Sequence, residues 1–248
     1  MPRFFIRADQ IAEKDGEKII TIYGDDAHHI SHSLRMAVGE KIDVCDMQKK
    51  LYLCTIVSFS EKSVTLKVIK ESAADTEPKH KIKLYQALPK SDKMEYIIQK
   101  SVECGACEII PFISERCIVK IDKKDEDKKI ARWQKISESA SKQSGRGIIV
   151  PVKNVLSFNE MIKSISADPY AILCYEGEEK TSIKELLQNE KPQGDISLII
   201  GCEGGFSIDE VKCLIDAGAK CVTLGKRILR CETAPTFALS CISYETEL

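Results

Sequence analysis

Beginning near residue 82, short apolar segments typical of buried β-strands alternate with amphipathic helical segments up to the C-terminus. Apolar residues recur at helical spacing in 92–104 and 126–144. The segment Ile196-Ser-Leu-Ile-Ile200 is nearly continuous in apolar residues, as strands covered on both faces are. This alternation predicts an α/β domain with a largely parallel sheet. Strands are predicted at 82–88, 108–113, 170–175, 196–201 and 221–224.

The N-terminal part of the chain has a different pattern. One helical segment, at 25–36, interrupts strand-like segments rich in β-branched residues at 3–7, 41–46, 51–59 and 63–69. A polar, unpatterned segment that contains Pro78 follows. We therefore predict a small β-barrel domain at 1–74, a linker at 75–81, and the α/β domain at 82–248.

The composition indicates a globular protein of the cytoplasm. No apolar run approaches the roughly 20 residues that span a bilayer, and the first seven residues lack the continuous apolar region of a signal peptide. The eleven cysteines are odd in number and widely spread, so we expect reduced thiols instead of a disulfide framework. The pair Cys104-Gly-Ala-Cys107 has no second pair or histidines nearby, so we expect no metal site.

The overall charge does not indicate a nucleic-acid-binding protein, because 37 lysines and arginines balance 38 acidic residues. Between Lys79 and Arg146, however, basic residues outnumber acidic ones. This local bias suits contacts with phosphates, and it equally suits solvated helix faces.

A glycine-rich turn follows a predicted strand in Leu198-Ile-Ile-Gly-Cys-Glu-Gly-Gly-Phe-Ser-Ile-Asp-Glu210. Ser207 and Glu210 form a capping-box pattern, which predicts that a helix begins there. Ligands of open α/β sheets bind at the carboxyl ends of strands, where glycines let the backbone approach closely. The turn lacks the dinucleotide pattern G-x-G-x-x-G and the lysine of a phosphate loop, and Glu203 would repel a phosphate. A cationic ligand suits the turn better.

A second turn, Leu224-Gly-Lys-Arg-Ile-Leu-Arg-Cys-Glu-Thr-Ala-Pro235, also follows a short strand and leads into a helix. A solvated basic loop would explain Lys226 and Arg227. It would not explain why the charged residues Arg230 and Glu232 stand within a more apolar segment. We therefore interpret this turn as part of a functional site.

The two turns together resemble the paired signature of the RsmE family, which are ribosomal RNA uridine-N3 methyltransferases of the SPOUT superfamily. Other stretches agree in the same order, so the resemblance runs nearly from end to end. These stretches are His28-His-Ile-Ser-His-Ser-Leu-Arg-Met-Ala-Val-Gly-Glu40, Lys90 with Lys100-Ser-Val-Glu-Cys-Gly105 and Pro111, Arg132-Trp133 through Gln143-Ser-Gly-Arg146 and Pro151, and Tyr175-Glu176.

The resemblance implies an N-terminal PUA-like β-barrel that helps to hold RNA and a C-terminal SPOUT-type α/β domain tied in a trefoil knot. It implies a homodimer with active sites at its interface, and S-adenosylmethionine as cofactor. The implied reaction is methylation of N3 of a specific uridine in small-subunit ribosomal RNA, with no membrane or metal involved. By position, the cofactor-binding residues are Tyr175, Glu176, Ile200, Gly201, Cys202, Glu203, Gly204, Gly205, Leu224, Gly225, Ile228 and Leu229.

Arg230, Glu232 and Thr233 match the segment expected near the target base, and they are the candidate catalytic residues. Our hypothesis is that Arg230 stabilises the negative charge that develops on the uracil carbonyls. Glu232 would orient Arg230 or help to pass the proton, and Thr233 would fix the loop. The general base is left open between water and the RNA itself. Candidate RNA contacts, each of which a solvated surface position would also explain, are Arg7, His29, Arg35, Lys90, Lys93, Arg116 and Arg146.

Two cysteines depart from the family's pattern. Cys202 stands where the family usually has proline, and Cys117 stands where it often has a small residue such as serine. Cysteine at the first position loosens the turn without removing a backbone donor, because proline would fix φ. Neither change replaces a charged residue or a glycine, so the predicted activity is retained.

Two other functions remain open from the sequence. One is a related knotted methyltransferase that acts on another RNA. The other is a PUA-like RNA-binding or ribosome-assembly protein whose methyltransferase site is weak or inactive. The glycines of both turns and the presence of Arg230 argue against this last interpretation.

Overall fold

The computed structural model describes residues 2–119 and 121–248, and the chain divides into two compact units. The first unit contains the residues up to Glu77 together with Ser141–Ile149, and the second contains Pro78–Ala140 and Val150–Leu248. The boundary between Glu77 and Pro78 falls inside the predicted linker. Residues 141–149, which the prediction placed in the α/β domain, group with the N-terminal unit.

A six-stranded sheet forms the first unit, in the order β1-β4-β5-β6-β3-β2. Its strands are β1 (Arg3–Phe5), β2 (Ile11–Lys14), β3 (Glu17–Tyr23), β4 (Lys41–Cys45), β5 (Lys50–Phe59) and β6 (Ser63–Ala73). Neighbouring strands are antiparallel, except that β1 and β4 are parallel. The helix α1 (Gly24–His28) continues into a π-helical turn at His29–Ser33, where the sequence predicted one helix.

The core of the first unit follows from the alternation of apolar and polar residues along its strands. Side chains that point to one face of the sheet are fully buried, among them Ile20, Ile22, Ile42, Val44 and Leu66. The intervening residues face outwards, as the period of two in a strand requires.

Arg146 and Glu77 form an ion pair within the first unit. Arg146 Nε donates to Glu77 Oε1 at 3.0 Å and a terminal guanidinium nitrogen donates to Oε2 at 2.8 Å, while the Gly147 N–H donates to Oε1 at 2.8 Å. Only 4% of the Arg146 side chain and 6% of the Glu77 side chain are exposed. The prediction that Arg146 contacts RNA is therefore corrected, because its guanidinium is buried and satisfied inside the protein.

A six-stranded sheet with every neighbouring pair parallel forms the second unit, in the order β12-β10-β11-β7-β8-β9. Its strands are β7 (Ile82–Ala87), β8 (Ala106–Ile113), β9 (Leu156–Ser157), β10 (Tyr170–Cys174), β11 (Ile196–Ile200) and β12 (Lys220–Val222). Its helices are α2 (Lys93–Glu103), α3 (Lys123–Gln143, the end of which lies in the first unit), α4 (Phe158–Ile165), α5 (Ile183–Asn189), α6 (Ile208–Asp216) and α7 (Ala234–Glu247).

The predicted α/β pattern of the second unit is confirmed in its elements. Every residue of β11 is buried, as the continuous apolar segment predicted. Helix α2 buries Met94, Ile97, Ile98 and Val102, which are the positions that helical spacing places on one face. In the part of the chain that the structure describes, no helix has both the length and the apolar character to cross a membrane.

Candidate active site

Three loops meet where the neighbouring parallel strands β10, β11 and β12 end. They run over 175–182, 201–207 and 223–233, and together they line a cavity of about 1110 Å³. Both glycine-containing turns of the sequence contribute to it, because β11 and β12 each lie beside β10. A cavity of this size at the carboxyl edge of an open α/β sheet is typical of a small-molecule site.

The 201–207 loop is shaped by a glycine and by a helix cap. Gly205 has φ of +64°, a conformation that favours glycine, and its N–H donates to the Cys202 carbonyl at 3.0 Å. A Cβ at Gly205 would collide with the carboxylate of Glu176 on the neighbouring loop. The hydroxyl of Ser207 accepts from the Glu210 N–H at 3.3 Å and completes the predicted capping box of α6.

Acidic and basic side chains both line the cavity: five glutamates stand with Lys93, Lys180, Lys226, Arg227 and Arg230. The backbone N–H groups of Lys180 and Thr181 donate to Glu178 and hold the pKa of that carboxyl below its usual value. These glutamates can pair with a cationic group of a ligand, as the interpretation of the turn from its sequence expects, and the basic side chains can pair with an anionic group. The acidic residues that line the cavity are Glu176, Glu178, Glu179, Glu185 and Glu203.

Lys93 joins the 201–207 loop to the 223–233 loop. Its Nζ lies 2.9 Å from Glu203 Oε1 and 3.2 Å from Glu232 Oε2. Burial raises the pKa of Glu203, but the hydrogen bonds from Lys93 and from the Lys90 N–H outweigh burial, and the net pKa lies below its usual value. The hydrogen bonds to Glu203 and Glu232 raise the pKa of Lys93, so this side chain stays cationic.

Arg230 lines the cavity with 83% of its side chain exposed. One guanidinium nitrogen lies 4.0 Å from Glu232 Oε1, and the Arg230 carbonyl accepts from the Thr233 N–H at 2.9 Å. Burial raises the pKa of Glu232. Hydrogen bonds from its own backbone N–H, from the Cys231 thiol and from Lys93 outweigh this effect, so the net pKa lies below its usual value and the carboxylate is ionised. The loop therefore presents an exposed cation beside an anchored anion.

The structure brings the predicted cofactor residues together, with one exception. All of them line the cavity apart from Gly204. Gly204 packs against Arg116 instead: its carbonyl accepts from the Arg116 guanidinium at 2.9 Å, and a Cβ there would come within 2.9 Å of Arg116 Cβ. Glu232 and Thr233 belong to the same loop as Arg230 but are not among the residues that line the cavity.

The predicted RNA-contact residues fall in both units. Arg7, His29 and Arg35 are exposed on the first unit. Lys90, Lys93 and Arg116 lie on the second unit, each bonded to the 201–207 loop through Glu203 or Gly204. These three basic residues are thus adjacent to the cavity.

Sequence reasoning missed several residues of this site. Lys180, Ser182 and Thr223 line the cavity, and Gln86 donates from its side-chain amide to the Gly201 carbonyl at 3.1 Å. These residues follow or end the predicted strands β7, β10 and β12, which all end at this edge of the sheet, so their place in the sequence could have indicated that they belong to the site. Across residues 2–119 and 121–248, no group of three or more histidine, cysteine and acidic side chains is arranged to hold a metal ion.

Comparison with known proteins identifies the family. The RNA methyltransferase domain family matches residues 76–243, and the RNA methyltransferase PUA domain family matches residues 22–69. The ribosomal RNA small subunit methyltransferase E of Bacillus subtilis is 37% identical, over 100% of this chain and 98% of its own length. This chain belongs to the ribosomal RNA small subunit methyltransferase E family.

Further members of the methyltransferase E family agree with this assignment. The protein of Mesomycoplasma hyopneumoniae is 33% identical over 85% of this chain and 89% of its own. The crystal structure of the Neisseria gonorrhoeae protein, bound to S-adenosylmethionine, is 31% identical with a TM-score of 0.85, over 98% of this chain and 97% of that one. The resemblance read from the two turns is thereby confirmed as membership of the methyltransferase E family.

Proposed function

We propose that this protein transfers the methyl group of S-adenosylmethionine to N3 of a uridine in small-subunit ribosomal RNA. The cavity carries the proposal, because two glycine turns, several glutamates and an exposed arginine meet there. The names of the relatives support the class of reaction and of RNA, and the cofactor in the Neisseria gonorrhoeae structure supports the methyl donor. The N3 position rests on the resemblance of the 224–235 turn to the RsmE family.

The residues that line the cavity suit S-adenosylmethionine. Its sulfonium and ammonium groups carry positive charge and its carboxylate carries negative charge, and the cavity offers glutamates for the first and basic side chains for the second. Its adenine ring is largely apolar, and the side chains of Leu224, Ile228 and Leu229 offer apolar surface. Gly205 lies where a Cβ would collide with the carboxylate of Glu176, so a larger residue there would push this side chain of the cavity wall aside. When bound, the cofactor supplies an electrophilic methyl group.

Replacing Gly205 by alanine is expected to weaken the binding of S-adenosylmethionine by about 10- to 100-fold, or about 1.4–2.8 kcal/mol. The added Cβ collides with Glu176 and displaces a side chain of the cavity wall. The measurement is a calorimetric titration of the folded variant with S-adenosylmethionine.

Gly218→Ala is the matched control for this variant. Gly218 also has a positive φ, of +95°, but a Cβ there meets nothing within 4 Å. Both variants therefore carry the same kind of backbone strain, roughly 1–2 kcal/mol, whereas only Gly205→Ala disturbs the cavity. Equal affinities in the two variants would show that the cofactor does not lie against the 201–207 loop.

The reaction requires the protein to hold uridine N3 in line with the methyl group and to allow the N3 proton to be removed. N3 is protonated at neutral pH, so negative charge develops on the uracil as the proton leaves. The guanidinium of Arg230 is exposed at the cavity and always cationic, so it is suited to stabilise that charge. Positioning supplies most of the remaining rate enhancement.

Glu232 acts on Arg230 in this proposal as a positioning residue. Its pKa is held below the usual value by several donors, so its carboxylate is a poor acceptor for a proton at neutral pH. It lies 4.0 Å from the guanidinium of Arg230, and its other oxygen is held by Lys93. Of the two roles considered for Glu232, orienting Arg230 is therefore favoured over passing the proton. Thr233 fixes the loop through its bond to the Arg230 carbonyl.

The RNA would lie over the basic residues that surround the cavity. Lys90 and Arg116 are exposed and are attached to the 201–207 loop: the Lys90 N–H donates to the Glu203 carboxylate, and the Arg116 guanidinium donates to the Gly204 carbonyl. The first unit, part of which matches the PUA family, would add contacts through Arg7, His29 and Arg35. The affinity for RNA is expected to fall as the salt concentration rises, because each contact of a basic side chain with a phosphate releases counterions.

The finer features of the fold belong to the same proposal: a closed PUA-like barrel, a trefoil knot and a homodimer. Strand β12 pairs with β10, and α7 then returns to pack on α2, α5 and β11, which is compatible with a threaded chain. Helix α7 leaves Phe237 and Tyr244 exposed, which would suit a second copy of the chain. Analytical ultracentrifugation tests the dimer, and the ribosomal substrate would place the protein in the cytoplasm.

Methyl transfer to small ribosomal subunits that lack the modification tests the reaction. Labelled S-adenosylmethionine is the donor, and the RNA is digested to nucleosides after the reaction. Label that migrates with 3-methyluridine supports the proposal. Label in any other nucleoside would contradict the N3 assignment.

A further inference from the structure

The two cysteines that depart from the family's pattern lie together in the structure. Cys117 closes the turn that follows β8, where its N–H donates to the Ser114 carbonyl at 3.0 Å. Cys202 is the second residue of the 201–207 loop, which follows β11, and it lines the cavity. The residues are 85 positions apart in sequence, so only the fold makes them neighbours.

The sulfur atoms of Cys117 and Cys202 both lie close to the buried hydroxyl group of Ser114. Ser114 Oγ lies 3.2 Å from Cys117 Sγ and 3.9 Å from Cys202 Sγ, and only 3% of Ser114 is exposed. The Ser114 N–H also donates to Cys117 Sγ at 3.3 Å. The two thiols are therefore held near the same serine, at the start of the 201–207 loop.

The environment activates Cys202 in particular. A hydrogen bond from the Cys117 thiol lowers the pKa of Cys202, and the Gly204 N–H and Ser114 lower it further against the effect of burial. The same interaction raises the pKa of Cys117. Burial instead raises the pKa of Cys221 to about 11 and of Cys231 to about 12. Thiolate character at Cys202 makes it the nucleophile of the pair.

We propose that Cys117 and Cys202 form an oxidative modification site, in which a hydroperoxide converts the two thiols into a disulfide that closes the cofactor loop. The Cys202 thiolate attacks one peroxide oxygen, the O–O bond breaks, and the leaving oxygen takes a proton to give water or an alcohol. The sulfenic acid formed on Cys202 is then attacked by Cys117, and water leaves as the disulfide forms. The peroxide gains the two electrons that the thiols lose.

The disulfide changes the site because Cys202 belongs to the loop proposed to bind the cofactor. A bond of about 2.05 Å must replace the looser contacts around Ser114, so the 201–207 loop is drawn towards the turn after β8. This consequence rests on the proposed function of the cavity, whereas formation of the bond does not. Bound S-adenosylmethionine would cover Cys202 and slow its oxidation.

The experiment treats the reduced full-length protein with hydrogen peroxide, blocks free thiols with N-ethylmaleimide, and maps linked peptides by mass spectrometry. A Cys117–Cys202 peptide is expected to form, to form more slowly with S-adenosylmethionine present, and to disappear with dithiothreitol. The affinity for S-adenosylmethionine, measured by calorimetry, is expected to fall by about tenfold on oxidation and to recover on reduction.

Cys117→Ser and Cys213→Ser are the comparison variants. Cys117→Ser introduces the residue common in the family and should keep its affinity for S-adenosylmethionine after peroxide, while Cys213→Ser removes an exposed thiol elsewhere and should behave as the wild type. Absence of the linked peptide in wild-type protein would overturn the proposal. A linked peptide without a change in the affinity for S-adenosylmethionine would show that the disulfide does not close the 201–207 loop. Failure of the reduced protein to bind cofactor would count against the proposed function alone.

Discussion

Replacing Arg230 by alanine is expected to lower the turnover of methyl transfer by about 10²–10³-fold, the effect of removing one donor that stabilises developing charge. The affinity for S-adenosylmethionine should stay close to that of the wild type, because 83% of the Arg230 side chain is exposed and it contributes little buried contact to the cavity. The measurement is single-turnover methyl transfer to small ribosomal subunits, together with calorimetric titration of the cofactor.

Two further variants separate the role of Arg230 from a general loss of positive charge. Arg230→Lys keeps the charge but loses the planar fork of donors, so an intermediate rate is expected. Arg227→Ala removes a guanidinium from the same exposed loop and should weaken RNA binding without a comparable loss of single-turnover rate. If Arg230→Ala retains the wild-type turnover in a folded protein, the role assigned to Arg230 is wrong.

Replacing Arg146 by alanine is expected to destabilise the first unit by about 3–5 kcal/mol, because it leaves the Glu77 carboxylate buried without its partner. The side chains of both residues are almost fully buried, and the substitution removes both hydrogen bonds that the Arg146 guanidinium donates to Glu77. Urea unfolding followed by circular dichroism measures the change. Binding of S-adenosylmethionine by the second unit reports separately whether that unit is still folded.

Lys67→Ala provides the matched control within the same sheet. Lys67 forms an ion pair with Glu17, but 43% and 49% of the two side chains are exposed. An exposed pair of this kind contributes about 0–1 kcal/mol. Equal losses of stability in Arg146→Ala and Lys67→Ala would contradict the structural role given to Arg146.

The pH dependence of the Arg146 effect has a definite sign. Burial raises the pKa of Glu77, but the hydrogen bonds and charge of Arg146, with the Gly147 N–H, lower it below the unfolded value near 4.5. The pair thus stabilises the fold fully above pH 4.5, and this contribution is lost as the pH falls through the lower folded pKa. In Arg146→Ala only the Gly147 N–H and Lys49 still oppose the effect of burial on the pKa of Glu77, so the stability deficit against wild type should be largest at neutral pH and shrink in acid.

Local patterns in the sequence were sufficient for most of the second unit. The apolar segment of β11, the spacing along α2 and the capping box at Ser207 each depend on residues close together in the chain. In the first unit, β2 and β3 were not predicted: charged residues end the short apolar pattern of β2, whereas β3 does carry a β-branched run at 19–23. The signal for their hairpin was Asp15-Gly16, which both adopt positive φ in the turn.

The functional site was predictable only where its residues lie within one turn. The glycines at 201 and 205 and the charged pair at 230 and 232 were visible as local motifs. The bridge that Lys93 makes between Glu203 and Glu232 joins three distant segments, so no local pattern could reveal it. Arg146 shows the same limit, because its burial depends on Glu77, 69 residues away.

Methyl transfer to three RNAs in parallel tests the central claim most directly. Undermodified small ribosomal subunits, large subunits and transfer RNA would each receive labelled S-adenosylmethionine and the protein, followed by nucleoside analysis. We expect label only in the small subunit, as 3-methyluridine, and its loss in Arg230→Ala. Label in large subunits or transfer RNA alone would keep the fold and cofactor but contradict the proposed substrate, and no label in any RNA would contradict the proposed activity.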